Sequence, residues 1–252
     1  MKSLLTLLLL PGFLLAQSPN TCDLVITNGK IIDGTGNSWY RGTLIVNQGK
    51  IVSIIRQPST QKWENSWAPL QVIDAKDKIV APGFIDVHTH IEGDEKKDPE
   101  AKSFIYDGVT TCITGNCGLS QVDAKKYFDF IDSLQLSINV AMLVGHNDIR
   151  RAVMGRANRD ATDEEQLRME TLVEKAMRDG AVGLSTGLIY IPGTYSKTPE
   201  IIGLAKKAAA FGGVYATHMR DEGDSVTQAI EEALTIGREA GIPVQLSHFK
   251  LS

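Results

Sequence analysis

Residues 82–90 read PGFIDVHTH, an apolar run from Phe84 to Val87 that ends in two histidines, His88 and His90, one residue apart. Two later runs also end in histidine: VYATH at 214–218 and VQLSH at 244–248. Three more runs of similar character cover Val109 to Thr114, Ile138 to Val144 and Val182 to Ser185. All are mostly apolar without strict alternation, the pattern of parallel strands covered on both faces. Four of the five histidines, His88, His90, His218 and His248, therefore stand at C-terminal strand ends.

Amphipathic helices are expected between these strands. The clearest has Thr162 and Glu165 as a capping box, Met169, Leu172, Val173, Ala176 and Met177 on one face, and Gly180 as its stop. Asp98-Pro99 and Thr198-Pro199 each read as a cap followed by a first-turn proline, while Gly108, Gly212 and Gly241 follow helix ends. Repeated strand–helix units point to an α/β fold of the (β/α) TIM-barrel type. The strands start about 32 residues apart, so a barrel of eight needs roughly 60 residues beyond Ser252. The expectation is an incomplete barrel over residues 79–252, with six of eight units, and a chain that is the front of a longer protein. An open six-stranded sheet is the alternative.

Before the barrel, residues 22–78 show short β-branched runs, DLVIT, KII, TLIVN and KIVSII, with Asn28-Gly29 and Gln48-Gly49 as turns. A small β domain is expected there, followed by a loop from Gln57 to Leu70. The first sixteen residues differ again: Lys2, an apolar stretch interrupted by Pro11-Gly12, and a small residue at Ala16. That stretch is shorter than the roughly 20 residues of a membrane span, so residues 1–16 read as a cleaved signal peptide. Export to the periplasm or beyond is expected, with no stable membrane association after cleavage. Cys22 lacks the small apolar lead-in of a lipid anchor, since Pro19-Asn20-Thr21 precede it.

Composition excludes other classes. Hydrophobic residues make up 42% and charged residues 22%, so the chain is globular rather than disordered. Twenty-six basic against 30 acidic residues give a net charge of −4, which provides no general attraction to nucleic acid. Three cysteines are too few for a disulfide-stapled fold.

In a (β/α) barrel the C-terminal strand ends share the face on which active sites are built. Residues i and i+2 of an extended segment project the same way, so His88 and His90 can reach one metal ion. A lone H-x-H is commonly surface or satisfied core; its repetition at three strand ends reverses that. Cys117, in Gly115-Asn116-Cys117-Gly118 just past the second strand, offers a thiolate suited to zinc and able to bridge two ions; a buried inert thiol is the alternative, and Cys112 within the strand is read that way.

The strings PGFIDVHTH, GVTTCITGNCGLS, NVAMLVGHNDIRRAVMG, GAVGLSTGLIYIPGTYS, GGVYATHMRDEGDSV and GIPVQLSHFK together resemble the N-acyl-D-amino-acid deacylases, or D-aminoacylases, of the amidohydrolase superfamily. The resemblance runs from about Cys22 to the end, and GNCG, GLIYxPG, THxRxEGD and SHxK in this order are far narrower than H-x-H. It implies a zinc-dependent hydrolase of one or two ions acting on small N-acyl-D-amino acids. His88 and His90 would hold one metal position, His218 and His248 the other, and Cys117 would bridge them. Many relatives use a carboxylated lysine as the bridge, and Gly183-Leu184-Ser185-Thr186 offers none. The family's catalytic aspartate follows the eighth strand, so it is expected beyond Ser252 and the chain as it stands is expected to be inactive or nearly so. Lys250 matches the position that binds the substrate carboxylate, and Tyr190 is placed to line the pocket. Arg220 and Glu222 are read as contacts behind the ligands or a solvated pair, and His146 as hydrogen-bonding or structural. The acidic run from Glu92 to Glu100 is read as a solvated loop and helix start. The family often has an acidic residue directly after H-x-H, where this chain has Ile91 and then Glu92. Competing readings are a D-specific dipeptidase, a cyclic amidohydrolase and a non-catalytic metal-binding remnant; His and Cys ligands favour zinc but admit other ions.

Overall fold

The computed structural model describes residues 19–250; the expected signal peptide at 1–16 lies outside them. Among the described residues no helix is long and apolar enough to cross a membrane. The chain forms two compact units that divide between Pro82 and Gly83.

The first unit is a sheet of β1 (Asn20–Ile31), β2 (Tyr40–Asn47), β3 (Lys50–Arg56), β4 (Trp67–Asp74) and β5 (Ile79–Val80). Its order is β3-β2-β1-β4, with β5 also pairing β1. Gln48 and Gly49, both at positive φ, make the tight β2–β3 turn. Asn28-Gly29 does not turn the chain: β1 runs through it, shifted in register between Ile26 and Gly29 where it pairs β2. Trp67 to Leu70, expected in a loop, instead begins β4, which pairs in parallel with β1 from Asn20. Cys22, Val25, Ile45 and Ile55 form the core of this unit.

The second unit contains six parallel strands: β6 (Phe84–Asp86), β7 (Val109–Thr114), β8 (Asn139–Gly145), β9 (Gly183–Gly187), β10 (Val214–His218) and β11 (Val244–Leu246). Their order in the sheet follows their order in the chain, so β6 and β11 are its outermost strands. In a flat sheet these two would stand about 24 Å apart, five spacings of roughly 4.8 Å. Yet the rings of His88, just past β6, and His248, just past β11, lie 4.9 Å apart. The sheet is therefore curled, as an arc of a barrel requires.

Six helices connect the strands: α1 (Lys102–Tyr106), α2 (Ala124–Leu134), α3 (His146–Met154), α4 (Asp163–Arg178), α5 (Thr198–Ala209) and α6 (Val226–Ala240). The capping box at α4 is present, with Thr162 and Glu165 bonding each other's backbone N–H. Met169, Val173, Ala176 and Met177 of α4 join Ile201, Leu204, Ala205 and Ala208 of α5 in one core against Met142, Val144, Leu184 and Tyr215 of the sheet. Each large side chain buried there contributes about 1.5–3 kcal/mol. Asp98-Pro99 does not start α1: the Pro99 carbonyl accepts from Ser137 N–H, Ala101 takes positive φ, and the helix begins at Lys102.

Candidate metal centre

The loop after β7 is built around Cys117. Its glycines Gly115 and Gly118 and Cys117 itself all have positive φ, at 78°, 77° and 53°. Left-handed backbone is costly for a residue with a Cβ and persists where surroundings enforce it. Here Ser185, in the middle of β9, accepts a hydrogen bond from Gly118 N–H and donates one to the Gly115 carbonyl. Buried Asn147 packs behind Gly118 and makes a two-way pair with the peptide groups of Gly187. The thiol is thus held inward on a loop that is fixed at both ends.

Around it converge the histidines. Cys117 Sγ lies 3.9 Å from His88 Nε2, 3.8 Å from His218 Nδ1 and 3.8 Å from His248 Nε2. Two ligand groups result, His88-His90-Cys117 and Cys117-His218-His248, each with donor atoms within 4.8 Å of one another and sharing the sulfur. Donors on one tetrahedral zinc ion stand about 3.5 Å apart, given Zn–S and Zn–N distances of roughly 2.3 and 2.0 Å, so the spacing suits an ion in either group. His88 Nε2 faces the sulfur, while its other nitrogen, Nδ1, is buried without a hydrogen-bond partner.

Electrostatics agree with that fit. Burial and the neighbouring histidines lower the pKa of His88, and burial lowers that of His218, which keeps both rings in the neutral form that binds metal. Burial, with Glu222 and Glu92 nearby, pushes the Cys117 thiol up to about 11. Without a cation the sulfur stays protonated at neutral pH, and a bound ion would displace that proton.

The substrate-side residues fall on the same face. Tyr190, in the loop after β9, has its hydroxyl 3.4 Å from His218 Nδ1 and its ring 4.8 Å from that imidazole. Lys250 donates to Glu222 across 2.6 Å, and Glu222 is buried beside His218. Arg220 turns away from the histidines: it pairs with Glu232 at 2.8 Å and bonds the carbonyls of Thr194 and Ser196. His146 opens α3 rather than ending β8 and belongs to neither ligand group; it is fully buried against Glu200 at 2.8 Å, beside Arg150. Cys112 is completely buried, as an inert core thiol should be.

The acidic run is not uniformly solvated. Glu92 turns in, accepting from Gly115 N–H and the Thr114 hydroxyl and standing 4.0 Å from His90 Nδ1. Glu95 is buried and bonded to the Tyr127 hydroxyl. Ser185 and Asn147 thus support the centre without having stood out in the sequence, whereas Glu92 was marked there only as an acidic residue one place later than the family's pattern. For Ser185 the available signal was a small hydroxyl residue on the fourth barrel strand, read there only as the lack of a lysine.

Comparison with known proteins places this geometry. A family model described as "Amidohydrolase family" matches residues 71–248. The D-aminoacylase of Alcaligenes xylosoxydans xylosoxydans is 37% identical over 91% of this chain and 51% of its own length. The N-acyl-D-aspartate deacylase of the same organism is also 37% identical, over 94% of this chain and 51% of its own. The crystal structure of N-acyl-D-glutamate deacylase from Bordetella bronchiseptica, complexed with zinc and a phosphonate inhibitor, superposes with a TM-score of 0.79 at 36% identity, covering 89% of this chain and 51% of that one. The chain spans about half the length of the curated relatives it matches. With its curled parallel sheet and its histidines gathered at the strand ends, it belongs to the amidohydrolase family.

Proposed function

We propose that this chain carries the metal-binding part of a hydrolase that cleaves the amide bond of N-acyl-D-amino acids to a D-amino acid and a carboxylate. The observation that carries the reading is the meeting of Cys117 Sγ with three imidazole nitrogens within 3.9 Å, with His90 completing a second group. Zinc is the cofactor the donor set suits best, and the Bordetella relative is described as a zinc complex. When bound, such an ion supplies Lewis acidity to an acyl carbonyl and to water.

The chain's own residues do the rest of what can be derived. His88, His90, Cys117, His218 and His248 would hold one or two ions. Lys250, held by Glu222, presents an ammonium on the same face, where it would bind the carboxylate common to all N-acyl amino acids. Tyr190 closes one side of the centre; burial raises its pKa, so its hydroxyl remains a proton donor toward a substrate oxygen. The preference for the D-enantiomer comes from the relatives' described substrates. Export remains part of the proposal on the pattern of residues 1–16 alone.

A second reading has its own observation. Among the described residues neither ligand group contains a carboxylate to move a proton, which favours a metal-binding chain without turnover. Zinc titration of the chain, followed by assay of the chain extended by the remaining half that its relatives carry, on N-acetyl-D-amino acids, their L-enantiomers, D-dipeptides and a hydantoin, separates the two. Tight zinc binding, lost in Cys117→Ala, with release of D-amino acid from the first substrates, supports the hydrolase. Zinc binding with no turnover selects the second reading, and unchanged zinc binding in Cys117→Ala refutes the centre itself.

A further inference from the structure

Glu222 lies four residues past His218, in the turn between β10 and α6, and is only 5% exposed. Its backbone is pinned from both sides. Asp221 accepts from Gly223 N–H at 2.7 Å and Ser225 N–H at 3.0 Å, while Arg220 is tied to Glu232 and to the Thr194 and Ser196 carbonyls. The carboxylate is therefore delivered to a fixed place, where its two oxygens face different partners. Oε2 accepts from Lys250 Nζ at 2.6 Å. Oε1 is buried without a hydrogen-bond partner and faces His218 Nε2 across 3.6 Å.

An unpartnered buried carboxylate oxygen is costly unless an N–H is turned toward it. A neutral imidazole has one N–H and one lone pair. With the N–H at Nε2, toward Glu222, the lone pair is at Nδ1, the nitrogen that stands 3.8 Å from Cys117 Sγ. Carboxylates behind ligating histidines fix tautomer and ring orientation in this way. The same side chain also sets where the Lys250 ammonium stands.

We propose that Glu222 is a positioning residue shared by both halves of the site: it holds His218 in the Nε2-protonated tautomer that offers Nδ1 to a metal ion, and it fixes Lys250 for the substrate carboxylate. The inference rests on the metal centre proposed above and extends it, because one carboxylate then links cation binding to anion binding. Replacing it should disturb both, whereas replacing Lys250 should disturb only the second.

The test uses the 252-residue chain and zinc as the probe. Zinc affinity is measured by chelator competition for the wild type, Glu222→Gln, Lys250→Met and His218→Ala. The His218 tautomer is read in zinc-free wild type and Glu222→Gln by long-range proton–nitrogen correlation spectroscopy in mildly alkaline solution. Glu222→Gln is expected to weaken zinc binding by roughly 10–100-fold and to give a mixture of tautomers, with Lys250→Met near wild type in zinc affinity. Wild-type zinc affinity and an unchanged Nε2–H signal in Glu222→Gln overturn the proposal while leaving the metal centre intact. Undiminished zinc binding in His218→Ala overturns the metal centre instead. Should Glu222→Gln fail to fold, an Nδ1-protonated His218 in the wild type is enough to refute the assignment.

Discussion

Gly115→Ala isolates the strain on which the Cys117 loop depends. A Cβ at Gly115 would stand 2.0 Å from the Leu143 carbonyl oxygen, where ordinary contact begins at 3.4 Å, so about 1.4 Å of movement is needed. Leu143 is buried within β8, a strand paired on both sides, and cannot retreat. The loop must move, and Cys117 is two residues along it. Positive φ costs an alanine about 1–2 kcal/mol, and forced overpacking adds roughly 1–3 kcal/mol, so a total of about 2–5 kcal/mol is expected. Gly241→Ala is the control, with φ of 66° and nothing within 4 Å of its Cβ, and should lose only the first amount. Urea denaturation of both variants gives the stabilities, and chelator competition gives zinc affinity, which should fall at least tenfold in Gly115→Ala alone, about 1.4 kcal/mol. Equal destabilisation by the two substitutions, or wild-type zinc affinity in Gly115→Ala, would refute the claim that this close approach sets the position of the thiol.

Two further outcomes follow from charges away from the centre. Glu165, bonded by Arg159 and by Thr162 N–H, has its pKa lowered to about 2 from 4.5; a depressed carboxylate stabilises the fold above its unfolded pKa and loses that contribution as pH falls through the folded value. The stability advantage of the wild type over Glu165→Gln should therefore be full near neutrality and vanish between about pH 4.5 and 2, as read from urea midpoints. Arg150→Met leaves Glu200 buried with only His146 beside it, at 0% and 6% side-chain exposure for the native pair. Breaking such a pair costs about 3–5 kcal/mol, yet zinc stoichiometry should be unchanged, because neither residue belongs to a ligand group.

The convergence of the histidines was legible because it depends on a simple rule: strand ends of a parallel sheet share a face, and His88, His218 and His248 each end an apolar run. What sequence alone could not resolve was decided by tertiary pairing. Asn28-Gly29 has the residues of a turn, but β2 offers partners on both sides of it, so the pair becomes an irregularity in a long strand. Residues 57–70 were expected as a loop, but β4 begins at Trp67 and accommodates Pro69 as an edge strand, where a missing N–H is tolerated. Glu92 looks like any acidic loop residue until Gly115 N–H and Thr114 are brought beside it. Such supporting contacts carry no periodicity and no fixed spacing, so they emerge only from the folded chain.

The same geometry gives the metal centre a second consequence. Its candidate ligands stand just past β6, in the loop after β7, at the end of β10 and just past β11, in two groups that share only Cys117, so two ions joined through that sulfur would link the first of the six described strands to the last. A sheet edge with unpaired backbone is a weak point of any β structure. Burial lowers the pKa of His88 and His218 and raises that of Cys117, so without a cation these three side chains are neutral and have little attraction for one another. Binding to the folded state alone stabilises it by mass action, and here that energy would act on strand ends that meet at Cys117. The residues that would hold the metal are therefore also those that would hold the ends of these six strands together on this face.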